Sequence, residues 1–363
     1  MPAFKHKPSR DACARAVAAA FAMALACGSA TAGGRACAWD DEAYAFEGTP
    51  SEQARCLLRP VSIGGAIAEA DASLPPSLDG SIGGRIGFEI GTLRDWLRRH
   101  GIEDAGIGGP IDAPLSSTSG ANARPARYFV IHDTSTLLCQ REDFPANADA
   151  ADAPWNRAER WTDHPQAHLY ITRDGQAYPP QSRTFATPWR ATRLERYLGV
   201  ASRGLFLHVE NVQLRRPEVA VDAALFRPDG DCANDRIAIS PGFSRAQSER
   251  LALVYVAASA RAGTWLIPAY HAVLDAGFVG GHDDPQHFDL EAWATEVCAL
   301  RNAPFESKRF TVSWLPGLNV AVEKPSCVTG PVMRLNSVGT PAVLLYIASA
   351  LVFAPPVDSS RIV

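Results

Sequence analysis

Three short segments, far apart in the chain, carry side chains suited to holding and using a metal ion. Phe129-Val130-Ile131-His132 is an apolar run that ends in a histidine, and Leu205-Phe206-Leu207-His208-Val209-Glu210 is one that ends in a glutamate. Gly281-His282-Asp283-Asp284-Pro285-Gln286-His287-Phe288-Asp289 is a loop rich in ligand side chains. Two histidines and a carboxylate make a common open zinc site, with the fourth position left for water. A separate carboxylate can serve as the base for that water. In a strand, side chains alternate between faces, so Phe206, His208 and Glu210 point the same way. Glu210, at the strand's end, can then reach a metal-site water while His208 lines the same cleft. Each residue also has a plainer reading: His132 as a satisfied strand-end histidine, Asp289 as the N-cap of a following helix, and His168, His164 and His271 as structural histidines.

The elements that must position these groups are legible in outline. Arg127 to His132 is short, aromatic and β-branched, as a strand should be. Leu169 to Thr172 and Gln176 to Tyr178 flank Asp174-Gly175, a strong hairpin turn pair, which makes Arg173 and Asp174 turn residues. Leu205 to Glu210 reads as a third strand. Ser244-Arg245-Ala246-Gln247 has the form of a capping box, and Leu251, Val254, Tyr255 and Ala258 continue an apolar helical face to Gly263. A last helix is expected after Asp289, through Leu290, Trp293, Val297 and Leu300. The implied fold class is α/β, a mixed central β-sheet flanked by helices, with N- and C-terminal extensions.

The order and character of these segments resemble the zinc-dependent N-acetylmuramoyl-L-alanine amidases, whose fold is shared by phage lysozyme-type amidases and peptidoglycan recognition proteins. In that family a histidine ends a central strand, as His132 does here; a second follows a glycine near the domain's end, as in Gly281-His282. A Cys or Asp a few residues later completes the site, and Asp289 fits that place, with Asp283 and Asp284 as rivals closer to His282. Ala167-His168-Leu169-Tyr170-Ile171-Thr172-Arg173-Asp174-Gly175 is similar to the family's His-Tyr-Leu-Ile-x-Arg-Asp-Gly hairpin. The resemblance covers roughly residues 121 to 303, about half the chain. It implies a Zn2+ ion held by His132, His282 and Asp289, with Glu210 as catalytic base and His168 and His208 near the substrate. Where many relatives carry a lysine, His287 would donate to the oxyanion. The chain departs from the pattern at Asp133, where a second histidine is usual, and at Ala167, where the phage-type branch has a tyrosine.

The ends and the composition bound the rest. Lys5, Lys7, Arg10 and Arg15 precede an apolar stretch, Ala16 to Ala26, and a small-residue site at Ala30-Thr31-Ala32. Residues 1 to 32 therefore read as a signal peptide, and the expected location is periplasmic or secreted. Cys27 as a lipidation site is the alternative, although Ala24 rather than a large aliphatic residue stands three before it. Beyond the leader remain Cys37, Cys56, Cys139, Cys232, Cys298 and Cys327, an even number that favours disulfides in an exported chain. The formal net charge is -4, with no basic tract, which argues against nucleic-acid binding. Residues 33 to 120 read as a helical lead-in and linker. Their clearest helix is Thr92 to His100, with Leu93, Trp96 and Leu97 on one face, and Ser116 to Gly120 is linker-like in composition. An Ala/Asp-rich insertion, Asn147 to Asp152, interrupts the catalytic segment. Residues 304 to 363 form an extension of unassigned role, whose apolar Ala342 to Ala354 is too short to span a membrane.

The sequence thus predicts an exported zinc amidase that cuts the N-acetylmuramoyl–L-alanine bond of peptidoglycan or its muropeptides. The alternatives are a non-catalytic peptidoglycan-binding protein of the same fold, and a secreted zinc hydrolase of another amide or peptide.

Overall fold

The computed structural model describes residues 36–62, 64–138, 144–217, 237–239 and 242–302. The expected leader, the C-terminal extension, and Cys139, Cys232 and Cys327 lie outside these residues. Strands β1 (Trp39–Asp40) and β2 (Ala45–Phe46) pair antiparallel, and helix α1 (Pro50–Leu57) follows. Thr49 starts α1 with a reciprocal capping box to Glu52. Helices α2 (Pro76–Asp79) and α3 (Ile90–Arg99) complete this region. Leu93 and Leu97 are buried on the expected face of α3, and Trp96 stacks on His100.

Strand β3 (Tyr128–Asp133) opens the segment that builds the central sheet, followed by β4 (Thr136–Leu137), β5 (Leu169–Ile171) and β6 (Ala177–Tyr178). After helix α4 (Arg193–Leu198) come β7 (Phe206–Asn211), β8 (Leu214–Pro217) and β9 (Ile237–Ile239). The segment ends with α5 (Arg245–Ala262), β10 (Ile267–Tyr270), α6 (His271–Leu274) and α7 (Leu290–Asn302). The central sheet has the order β10-β3-β7-β5-β6. Its first four strands run parallel, and β6 returns antiparallel to β5 through the Asp174-Gly175 turn. Strands β4, β8 and β9 form a smaller sheet. The fold is α/β, with a mixed central sheet flanked by helices.

The two faces of β3 are covered differently. Phe129 meets Tyr255 of α5 at 5.3 Å between ring centroids. On the opposite face Tyr128 stacks on Phe206 at 4.9 Å, and its hydroxyl donates to Gln53 of α1 and accepts from the Phe46 N–H. Helix α5 has the expected capping box at Ser244 and Gln247 and ends at Gly263 in the left-handed region. Its residues Leu251 to Ala260 are buried without a break, as befits a helix covered on all sides. One core runs from Phe46 to Val297, so the N-terminal region shares its apolar interior with the sheet.

One expectation is corrected. Ser116 to Gly120 is not a free linker. Ser116 and Thr118 are buried, Ser116 bonds to Phe185 and Gly204, and Ser117 bridges to Pro125. The close approach explains Gly204: a Cβ there would sit 2.4 Å from the Ser117 carbonyl oxygen, at a φ of +99°. The Asn147 to Asp152 insertion is anchored through Ala148, which joins Trp155 and Trp161 in a second apolar cluster around Tyr170, while Asn147, Asp149, Ala151 and Asp152 are exposed. Arg173 lies in the turn, as expected, and is buried as well. Its Nε donates to Asp149 at 2.7 Å and its Nη1 to Gln213 and the Gly242 carbonyl.

Among the described residues no helix is long and apolar enough to cross a membrane. Cys37 and Cys56 form a disulfide with 5.9 Å between their Cα atoms, and Cys298 is also disulfide-bonded. These bonds are compatible with an extracellular location. The Cys37–Cys56 bond ties β1 to α1 across a sequence separation of 19. Closing a loop of that size stabilises a fold by about 3 kcal/mol. Replacing both cysteines by serine should therefore lower the free energy of unfolding by about that amount, measured by urea denaturation.

Candidate metal centre

The parallel register gathers the chemistry at the carboxyl ends of the strands, where open α/β sheets place their sites. His132 is paired with Glu210, two positions along β7 from His208, so all three side chains share one face. On the other side of β3, Tyr270 is paired with Ile131, the last ladder position. His271 follows directly and comes level with His132. The loop after α6 then returns Asp284, whose carboxylate accepts from the Asp133 N–H at 3.0 Å and whose carbonyl accepts from the Ala272 N–H.

The result is a buried group of His132, His271 and Asp284 that could hold a metal ion. The two Nδ1 atoms face each other at 2.8 Å. His271 Nδ1 lies 3.0 Å from Asp284 Oδ1, and His132 Nδ1 lies 3.7 Å from both Asp284 Oδ2 and Glu210 Oε1. Four ligands at 2.0–2.1 Å from a tetrahedral ion stand about 3.3 Å apart. The observed separations straddle that value, so little movement would bring the donors onto one ion. Behind the rings, His271 Nε2 lies 3.2 Å from Asp275 Oδ2, and His132 Nε2 lies 3.0 Å from His208 Nδ1. Carboxylates and hydrogen-bonded rings behind ligand histidines are the usual means of fixing ring orientation at metal sites.

The electrostatics favour a cation at this focus. Burial, reinforced by the positive charge of His271, holds His132 well below the ordinary imidazole range. Burial would also lower His271, but Asp284 and then Asp275 outweigh it and hold its pKa well above that range. Asp284 is held well below the carboxylate range because His271 outweighs its desolvation. Glu210 is pushed well above that range, first by burial and then by the nearby Asp284 charge. Its Oε2 is buried with no hydrogen-bond partner. A proton on His271 thus supplies the positive charge the carboxylates demand, and a divalent ion would replace it.

A second network fastens the loop to β3. Arg215 on β8 is fully buried. It donates to both oxygens of Asp133 at 2.9 and 3.0 Å and to both oxygens of Asp283 at 3.0 Å. Gln286 adds a backbone bond to Asp133 and a side-chain bond to Asp283.

His132 and Glu210 meet as expected, but the other assignments shift. Asp289 caps α7, its Oδ1 accepting from the Ala292 N–H at 2.9 Å, and Asp284 stands in the expected carboxylate's place. His282 is at the rim. Its side chain is 54% exposed, its ring stacks on His271 at 4.4 Å, and its Nδ1 is 3.6 Å from Asp284. With His271 and Asp275 it forms a second, overlapping group of potential ligands. His287 is exposed and lines a groove with Val61, Ile67, Tyr270 and Phe288, none of them in the cluster. His168 and His208 are fully buried rather than lining a substrate cleft. His168 accepts from the His208 N–H and donates to the Thr187 carbonyl, and burial followed by His208 pushes its pKa down to about 3.

His271, Asp275 and Asp284, beside His132, and Glu195, 3.3 Å from His208, are the neighbours that the sequence passed over or ranked lower. His271 did carry a signal: Leu266-Ile267-Pro268-Ala269-Tyr270 is an apolar run ending in a histidine, the same signature that picked out His132.

Removing one member of a buried charge network strands the others at a cost of about 3–5 kcal/mol. Arg215→Met should destabilise the fold by that amount in urea denaturation, and adding Asp133→Asn should recover part of it. A change of about 0.5 kcal/mol, the scale of a surface substitution, would contradict the role given to Arg215.

Compared with known proteins, the chain matches no family model, no curated protein and no solved structure.

Proposed function

We propose that this protein is an exported zinc amidase that hydrolyses the bond between N-acetylmuramic acid and L-alanine in peptidoglycan. The observation that carries the reading is the buried meeting of His132 Nδ1, His271 Nδ1 and Asp284 beside the unpartnered Oε2 of Glu210. Two histidines, one carboxylate and a separate glutamate are the set that the resemblance to the amidases implies, with His271 and Asp284 in place of His282 and Asp289. The donor set suits zinc because it mixes imidazole nitrogen with a single carboxylate and leaves a coordination position free.

When bound, zinc supplies a water acidified to a pKa of about 7 and polarises the scissile carbonyl. The chain's own residues do the rest. Glu210 takes a proton at Oε2 and returns it to the departing L-alanine nitrogen. Its raised pKa suits a group that must hold a proton between the two steps. A cation held by His132, His271 and Asp284 would offset the repulsion between Asp284 and Glu210, and so favour the ionised base. His282, exposed at the rim and stacked on His271, is placed to donate to the developing oxyanion, the part that His287 would otherwise play. The Arg215–Asp133–Asp283 network keeps the loop bearing Asp284 against the strand end bearing His132.

Incubation with muropeptides, followed by mass spectrometry, tests the reading: free peptides beginning with L-alanine are the expected products. Binding without products, or cleavage at another amide, would overturn it. Glu210→Gln should retain the metal and lose activity by about 10²-fold or more. A zinc-loaded Glu210→Gln protein with near wild-type turnover would remove Glu210 from the mechanism.

The metal assignment has its own readout. The protein should bind one zinc ion, and His271→Ala and Asp284→Ala should weaken binding while Asp289→Ala should not. Because His271 is held protonated above the ordinary imidazole range, zinc binding at neutral pH should release protons. Calorimetry in buffers of different ionisation enthalpy measures that release, and affinity should fall as pH is lowered.

A further inference from the structure

Behind the metal-facing ring of His132 runs a buried chain of three side chains. His132 Nε2 is 3.0 Å from His208 Nδ1, and His208 Nε2 is 3.3 Å from Glu195 Oε1. His208 and Glu195 have no exposed surface. The other carboxylate oxygen of Glu195, Oε2, accepts from the Ala191 N–H, the Thr192 N–H and the Thr192 hydroxyl, each at 3.0 Å. These three donors fix Glu195; His208 Nε2 lies 3.2 Å from Oε2 as well, but its hydrogen bond is to Oε1.

The proton positions follow from these partners. Glu195 accepts at Oε1, so a His208 ring bearing one proton carries it on Nε2 and presents a lone pair at Nδ1. That lone pair requires a donor, so His132 carries its proton on Nε2. His132 Nδ1 is then a lone pair aimed at His271 and Asp284. Two further bonds hold His208 in place: its N–H donates to His168 Nδ1, and His168 is fixed in turn by donating from Nε2 to the Thr187 carbonyl.

We infer that Glu195 and His208 are positioning residues that select the metal-binding tautomer of His132. Neither touches a metal or substrate; Glu195 acts through two rings. The inference rests on the metal-centre reading for its consequence, but the tautomers themselves can be observed without metal.

The test uses the full chain with Glu195→Gln and Glu195→Ala. Glutamine also serves at the third helical position of a capping box, so the start of α4 is preserved. Its carbonyl oxygen would take the three donors at the Oε2 position and turn its amide NH2 toward His208. A donor there reverses the chain: His208 accepts at Nε2 and donates from Nδ1, and His132 must carry its proton on Nδ1, where a metal would bind. Alanine removes the acceptor without reversing it. Zinc affinity, measured by chelator competition, should fall about 10–100-fold in Glu195→Gln, the usual scale for groups behind metal ligands. It should fall less in Glu195→Ala, with far-UV circular dichroism unchanged in both. A merely structural role predicts the opposite order, because alanine removes more of the helix cap.

Nitrogen-15 spectra of histidine-labelled, zinc-free protein give the second readout. His132 and His208 should both be protonated at Nε2 in the wild type, and both at Nδ1 in Glu195→Gln. Equal zinc affinity in wild type and Glu195→Gln, a larger loss in Glu195→Ala than in Glu195→Gln, or tautomers that do not change would each overturn the inference. A wild-type protein that binds no zinc yet shows the tautomer reversal would support the chain and sink the metal reading instead.

Discussion

The candidate metal centre depends on the hydrogen-bond register of two parallel ladders, β10 with β3 and β3 with β7. Pairing Ile131 with Tyr270 brings His271 level with His132, and pairing His132 with Glu210 sets the candidate base beside the same ring. Because side chains alternate along a strand, a slip of one residue in either ladder would send its contribution to the opposite face. That face is filled by Phe129 against Tyr255 of α5. Two aromatic layers, one on each side of β3, therefore hold the register, and the polar cluster inherits its geometry from them.

Once the strands are in register, burial sets the chemistry. His132, His271, Asp284 and Glu210 have little or no contact with solvent, so their charges are settled among themselves rather than by water. Asp284 and Asp275 hold the pKa of His271 well above the ordinary imidazole range, and burial followed by the Asp284 charge holds that of Glu210 well above the carboxylate range. A divalent ion could take the place of the protons on these groups. Arg215 contributes in the same currency, but for the loop: it pairs Asp133 and Asp283 so that neither competes for the positive charge at the centre.

Much of the scaffold was legible in the sequence because its signals are local. The capping box at Ser244 and Gln247, the stop at Gly263, the Asp174-Gly175 turn and the strand endings at His132 and Glu210 each depend on neighbours within a few residues. The metal ligands were only half legible because their choice is a long-range matter. His282 follows a glycine and Asp289 precedes a helix, so both fitted a linear pattern. The partners of His132 are instead decided by how β10 lies beside β3 and where the next loop returns, 139 residues away in the case of His271. The same limit explains Ser116 to Gly120: small polar residues suggest a loose segment, but here they lie in a seam between Phe185, Gly204 and Pro125.

Glu195 serves two structures at once. It completes the capping box that starts the six-residue helix α4, and it is the far end of the hydrogen-bonded chain behind His132. A helix so short is marginal alone and frays readily. On the tautomer reading, each fraying event would release the carboxylate and loosen its control of the metal-facing nitrogen. Linkage makes the effect reciprocal: whatever fraying subtracts from metal affinity, metal binding must return as resistance to fraying. The amides of Leu194 to Leu198, beyond the Arg193 amide that donates to Asp275, would then act as a gauge of the centre's occupancy, slowing their hydrogen exchange when it is filled.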